Sequence, residues 1–318
     1  MCSSEKASSR NRSGRSLILS ALVVLVLTGS GRGQPAPPTV EYLLSCQGQP
    51  GEMVSPSRVF FTNSAEVLVS DPRTGSIVVL DLAGNVVAIH PTGGEPTGIV
   101  RDSAGITYVT DTDALHVRRF SEDWTELSPI GAGDFLNPND IALAQGGGRL
   151  YVTDSAADLV RVYLTDGTPL FTFGGTGNSD GQFRFPTGVC VDSRNDEILV
   201  ADHNNGRVQI FDSEGDFVAK FGRSGGGWGR FSRILGVETD LEGRVYVVDS
   251  FQACVHVITR EGVWLDMIGE FGSEPGQFIT PVDTVIDSNG WMWITSFNTS
   301  RVEVFTVEGL DVLEWAIY

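Results

Sequence analysis

The residues best placed to do chemistry follow a series of prolines. Pro96, Pro138, Pro186 and Pro281 precede Thr97-Gly98, Asn139-Asp140, Thr187-Gly188 and Val282-Asp283. Asn139, Asp140 and Asp283 depart from the Thr-Gly pair toward oxygen donors. Oxygens converging on one point suit Ca²⁺, which takes roughly six to eight of them. These three are the candidate metal ligands, with Ca²⁺ the candidate cofactor, against a plainer reading as turn and channel hydrogen bonds around water. His203, beside Asp202 and ahead of Asn204-Asn205-Gly206-Arg207, is placed for general-base work or for simple solvation. The four histidines, His90, His116, His203 and His256, lack metal-like spacing. No G-x-S-x-G elbow leading from a strand into a helix, P-loop or H-E-x-x-H segment occurs. Asn298-Thr299-Ser300 is a glycosylation sequon in a eukaryotic secretory context.

Convergence of such residues requires a repeated frame, and the sequence contains one. Six short β-like runs end at Asp71, Asp111, Asp154, Asp202, Asp249 and Ser296, separated by 40, 43, 48, 47 and 47 residues. Six residues after each anchor stands a β-branched residue: Ile77, Val117, Val160, Val208, Val255 and Val302. A second run follows, then a Gly-containing turn such as Asp212-Ser213-Glu214-Gly215, then a further run such as Phe217–Phe221. Four strands of about five residues with their connections account for about 40 residues per unit. Antiparallel four-stranded units repeated around an axis make a β-propeller, so the expected fold is all-β, a six-bladed β-propeller over residues 41–318. The anchor carboxylates are expected to be architectural, accepting backbone N–H bonds in the turn that follows. Either end offers a strand to close the ring, at residues 40–44 or 310–315.

The fourth unit, Gly181 through Phe217, reads G-x-F-x-x-P-x-G-V-x-V-D followed by I-x-V-A-D-x-x-N-x-R-V-Q-x-F-D. It resembles the NHL repeat, and the resemblance extends over about residues 41–318. It implies the six-bladed fold and leaves function open, because one scaffold hosts enzymes and binding modules alike. Arg207 and Arg301 match its Asn-x-Arg-Val slot and are expected to pair with acids of neighbouring blades. Two enzyme families of similar architecture provide tests. Peptidyl-hydroxyglycine amidating lyases place zinc-binding histidines directly after the inner-strand prolines, where this chain has Thr97, Asn139, Thr187 and Val282. Calcium-dependent lactonases, similar to gluconolactonases, share Pro-Asn-Asp with Pro138-Asn139-Asp140. They also need a first-blade Glu and a later Asp, where Ser57 and Thr187 stand here.

The charge is lopsided, at -18 overall with 22 basic against 40 acidic side chains. Beyond residue 33 the balance is 17 against 39, and Lys220 is the only lysine there. Such a body repels phosphate backbones, so nucleic acid is disfavoured as a partner. Arg10, Arg12 and Arg15 ahead of the apolar run Leu17–Leu27 read as an export signal over residues 1–33, with an uncleaved membrane anchor as the alternative and a proline-rich spacer at 34–40. The chain is expected to be secreted or periplasmic, monomeric, and without a membrane span once the signal is removed. Cys46, Cys190 and Cys254 allow one disulfide or three buried thiols. The leading expectation is a binding or scaffolding module whose loop face offers Asn139, Asp140, His203, Asn204, Arg207 and Asp283 to a protein, peptide or glycan. On that reading, alanine at Asn139 and Asp283 leaves folding intact. The alternative is a Ca²⁺-assisted hydrolase or lyase, lactonase-like, with a divergent site in the channel.

Overall fold

Alternating β-branched and aromatic runs, each bounded by Gly, Asp or Pro, fold into six four-stranded antiparallel sheets in the computed structural model. Residues 35–308 are described, apart from Gln145, Gly147 and Trp228. The expected export signal at 1–33 and the strand candidate at 310–315 lie outside the described residues. The fourth blade is representative: strands Pro186–Asp192, Glu197–Asp202, Arg207–Phe211 and Phe217–Phe221 run from the axis outward. The only helical turn among the described residues is a 3₁₀ turn at His203–Asn205. None of the described helices is long and apolar enough to cross a membrane.

Ring closure is settled by the N-terminal strand. Thr39–Cys46 adds to the outer edge of Arg301–Glu308, from Thr39 opposite Glu308 to Cys46 opposite Val302. The last blade therefore takes three strands from the end of the chain and its fourth from the beginning. Its apolar residues serve both neighbours: Val40 packs against the cluster around Val255 and Phe278, and Cys46 against that around Val67 and Trp293.

A single blade cannot bury both faces, and the core accordingly lies between blades. The six β-branched residues after the anchors are all fully buried. The cysteines are three free, buried thiols.

Register places the chemistry. Pro138 pairs with Asp154, which pairs with Leu159, which pairs with Gly174. The inner-strand starts, the anchors and the links between blades thus share one face, called here the loop face; the hairpin turns occupy the other. The anchors bind more than the following turn. Asp71 accepts Val54, Ser55 and Thr74 N–H, and Asp249 accepts Ser232, Arg233, Phe251 and Gln252 N–H. Each ties the incoming link to the outgoing turn, with the carboxylate buried. For Asp249 the hydrogen bonds outweigh burial, which alone raises its pKa, and hold the carboxyl below its usual range.

Candidate functional site

The two residues after each proline form matched rings around the axis. The residue before the anchor is Thr in three blades. Its hydroxyl accepts the N–H of the second ring residue and donates to the first ring residue's carbonyl in the next blade. Thr153 does so between Asp140 N and Thr187 O, and Thr295 between Asp283 N and Ser57 O. By this stitch the second ring reads Arg58, Gly98, Asp140, Gly188, Gly236 and Asp283. Glycine is required where neighbouring inner strands approach: a Cβ at Gly98 would lie 2.7 Å from Asp140 Cα, and one at Gly188 2.5 Å from Leu235 O. Asp140 and Asp283 instead reach across the seam, accepting Val189 N–H at 3.0 Å and Val59 N–H at 3.1 Å.

Asn139, Asp140 and Asp283 do converge, and the cation they surround belongs to the chain itself. Arg58 Nη2 donates to Asn139 Oδ1 at 2.8 Å. Its Nη1 donates to Leu235 O at 3.1 Å and to Asp283 Oδ1 at 3.3 Å, and lies 3.5 Å from Asp140 Oδ2. The Arg58 side chain is 3% exposed. The candidate Ca²⁺ ligands are therefore partners of a guanidinium, which corrects their reading as open metal donors. It also reverses the expectation for alanine at Asn139 and Asp283, since that change strips a buried cation of its partners. No group of three or more His, Cys, Asp or Glu with metal-holding geometry occurs among the described residues.

One guanidinium does not balance the acids around it. Burial pushes the Asp140 and Asp283 carboxyls up, and Arg58 pulls both back only in part. Glu238, half-buried on the inner strand of blade 5, is pushed up to about 8, first by burial and then by the charges of Asp283, Asp140 and Asp192. A carboxyl held above its unfolded value binds a proton in the folded chain that the unfolded chain releases. Stability therefore falls as pH rises from about 4.5 to 8. Glu238→Gln removes that slope. The variant is expected to melt with the parent at pH 5 and several degrees above it at pH 8.5, an effect of about 2 kcal/mol. Equal gaps at both pH values, by differential scanning fluorimetry, contradict this account.

The remaining candidates lie on the loop face of blade 4. His203 Nδ1 meets Ile234 O at 2.8 Å, one residue from the carbonyl that Arg58 binds, and its ring packs edge-on to Phe185 at 5.8 Å. Asn204 is exposed. Arg207 is buried: its Nε donates to Asp202 Oδ2 at 2.8 Å and its Nη2 to Ser179 and Gln182 carbonyls. It pairs within its own blade because the register sets Arg207 opposite Asp202. Arg301 likewise faces Ser296 and lies 4.0 Å from Glu303 of its own strand. The expected neighbouring-blade pairs are thus corrected for both.

Sequence reading missed Arg58, although Pro56 sets it in the same slot as Asp140 and Asp283, and Glu238, whose blade has Ile234 where the others have proline. It also missed Cys254, His256 and Asp249, whose order resembles a nucleophile, base and orienter. His256 Nε2 lies 3.5 Å from Cys254 Sγ and 3.8 Å from Asp249 Oδ2. All three are buried, and burial pushes the Cys254 thiol up to about 12, so it stays protonated and inert.

The NHL repeat profile matches residues 183–211, which span the first three strands of blade 4. An E3 ubiquitin-protein ligase, TRIM71 of Xenopus tropicalis, is 52% identical over 60 residues, covering 19% of this chain and 7% of that protein. Peptidylglycine alpha-amidating monooxygenase of Rattus norvegicus is 26% identical over 260 residues, covering 76% of this chain and 26% of that protein. The first curated relatives are matched over 4% to 31% of their own length. Among solved structures, a gluconolactonase from Xanthomonas campestris superposes with a TM-score of 0.66 at 15% identity, over 88% of this chain and 98% of that one. At that identity the likeness is one of fold.

Proposed function

We propose that this chain, which belongs to the NHL-repeat six-bladed β-propeller family, is an exported binding module that engages a protein or peptide through its loop face. The supporting observation is Phe251, 73% exposed on that face yet set in a clamped turn. Its N–H and that of Gln252 donate to Asp249 Oδ1 at 3.1 and 3.0 Å. An aromatic held out on a preorganised turn has little entropy left to lose on binding and has the character of an interface anchor. Leu136, 62% exposed, stands on the same face in the link to blade 3. The channel residues that an enzyme would recruit are taken up by Arg58, which disfavours the lactonase-like alternative.

A photo-crosslinking residue at position 251, with Glu214 on the opposite face as control, tests this in extracts of the source organism. A discrete adduct from position 251 alone is expected. Identical adducts from both positions defeat the proposal. Calcium-dependent lactone hydrolysis abolished by Asp283→Asn would replace it with the enzymatic reading. Phe251→Ala is expected to leave the melting temperature within about 1 °C, since it removes an exposed side chain.

A further inference from the structure

The arginines of this acidic chain are unevenly engaged. Among the described residues, ten of the sixteen arginines pair with a carboxylate: Arg58, Arg101, Arg118, Arg149, Arg161, Arg194, Arg207, Arg244, Arg260 and Arg301. Of the other six, Arg73 lies over the Phe297 ring and Arg119 donates to Asp166 O. The last four, Arg184, Arg223, Arg230 and Arg233, are all exposed, and all stand on the links that enter blades 4 and 5 on the loop face.

Hydrogen bonds tie these links into one sector. Asn204 N–H donates to Arg184 O, and the adjacent His203 reaches Ile234. Phe231 N–H donates to Arg223 O, and Ser250 N–H donates to Arg233 O. The Gln252 side chain donates to Arg230 O at 3.1 Å and accepts Gly227 N–H at 2.8 Å. Arg233 lies over the Phe251 ring at 6.0 Å. Residues 181–186, 203–206, 222–227, 229–234 and 250–253, which build the sector, contain no Asp or Glu. The opposite face is different: the turns there carry Asp192, Asp196, Glu197, Asp212, Glu214 and Asp216 in blade 4 alone.

The fold does not ask for these arginines. The links into blades 4, 5 and 6 share a geometry, each closed by a parallel bridge: Thr176 to Phe183, Ser224 to Phe231 and Phe271 to Phe278. Where the link into blade 5 has Arg230, the other two have Gln182 and Gln277, whose Oε1 atoms accept link N–H groups at 3.2 and 3.1 Å. Where it has Arg223, they have Gly175 and Glu270; where it has Arg233, they have Phe185 and Thr280. Arg230 thus displaces a residue with a structural task, and its Nη1 donates only to Ser224 O at 3.3 Å. Four guanidinium groups without acids, on a backbone already fixed by its own hydrogen bonds, form a preorganised receptor for carboxylates, which guanidinium forks match in shape.

We propose that the ligand of the loop face is an acidic peptide segment, its carboxylates held by Arg184, Arg223, Arg230 and Arg233 and an apolar side chain set against Phe185 and Phe251. This rests on the binding-module reading and specifies its partner. The exposed Phe185 and Phe251 rings beside the arginines favour a peptide, which brings apolar side chains together with its carboxylates, over a polyphosphate backbone.

The test is fluorescence anisotropy of the whole chain against a labelled 12-residue peptide rich in Asp and Glu with one Trp. Its Asn/Gln counterpart and a 12-nucleotide single-stranded RNA serve as comparisons. The acidic peptide is expected to bind at least tenfold more tightly than the amide peptide and to weaken with salt. Arg184→Ser/Arg233→Ser is expected to weaken it about tenfold or more, while Arg260→Ser on the opposite face leaves it unchanged. Equal binding of the acidic and amide peptides, no effect of the double substitution, or tighter binding of the RNA overturns the proposal. Failure of the acidic peptide with a discrete adduct still formed from position 251 would overturn the acidic ligand and spare the binding module.

Discussion

A chain that begins after Cys46 is expected to lose cooperative folding. The strand Thr39–Cys46 supplies the fourth strand of blade 6, and blade 6 is the seam at which the ring closes. Its loss leaves Arg301–Glu308 as an open edge, deprives the buried Glu303 carboxylate of the Ser45 hydroxyl, and uncovers Gly276, which packs on the Tyr42 ring. Cys46 and Leu44 also pack against Gly84 of blade 1, so the deletion opens both sides of the closure. Each strand hydrogen bond contributes about 0.5–1.5 kcal/mol net, and each buried apolar side chain about 1.5–3 kcal/mol. Together these approach the roughly 5–15 kcal/mol that separates folded from unfolded domains. Urea denaturation followed by circular dichroism checks the expectation. A broad transition, or none, is the expected result, with recovery when a synthetic peptide of residues 35–48 is added. A truncated chain that unfolds cooperatively at a urea midpoint close to the parent's would show that the ring does not depend on this closure.

How much of this was legible beforehand depends on whether a feature repeats. The anchors, the β-branched residues after them and the proline slots recur in most blades, so periodicity alone defined six blades and put Asn139, Asp140 and Asp283 on a common ring. What happens once in the chain was not legible. Arg58 follows Pro56-Ser57 in the common slot, yet it is the one cation of its ring, and its reach across the axis to Asn139 and Asp283 is written in no repeat. The choice of closing strand is likewise a single event, decided by pairing across almost the whole length of the sequence. Arg207 was misplaced for a different reason: a charged residue beside loop residues reads as exposed, whereas the hairpin register sets it against a buried carboxylate. The arginine sector was present in the composition, yet it stands out only when the other arginines are seen to be paired.

Replacing Arg58 by methionine, which keeps most of its volume, is expected to destabilise the propeller by about 3–5 kcal/mol near pH 8, the usual cost of stranding a buried partner charge. Asp140 and Asp283 would then face each other across the axis with backbone N–H groups as their remaining partners, at the two seams they bridge. The pH dependence identifies the cause. Both carboxyls are already raised by burial, and loss of the guanidinium raises them further. A carboxyl whose folded pKa exceeds its unfolded value penalises the fold above the unfolded value, and the penalty disappears as pH falls toward it. The deficit of Arg58→Met is therefore expected to be largest at pH 8 and to shrink toward pH 4.5, as measured by urea midpoints across that range. Adding Asp140→Asn and Asp283→Asn removes the stranded charges, and the triple variant is expected to recover much of the loss at pH 8 with little change at pH 4.5. A deficit independent of pH and unrelieved by the two amides would mean that Arg58 acts by packing rather than by charge. In that case the channel would be a filled core, and the acids around it would have no cation to answer to.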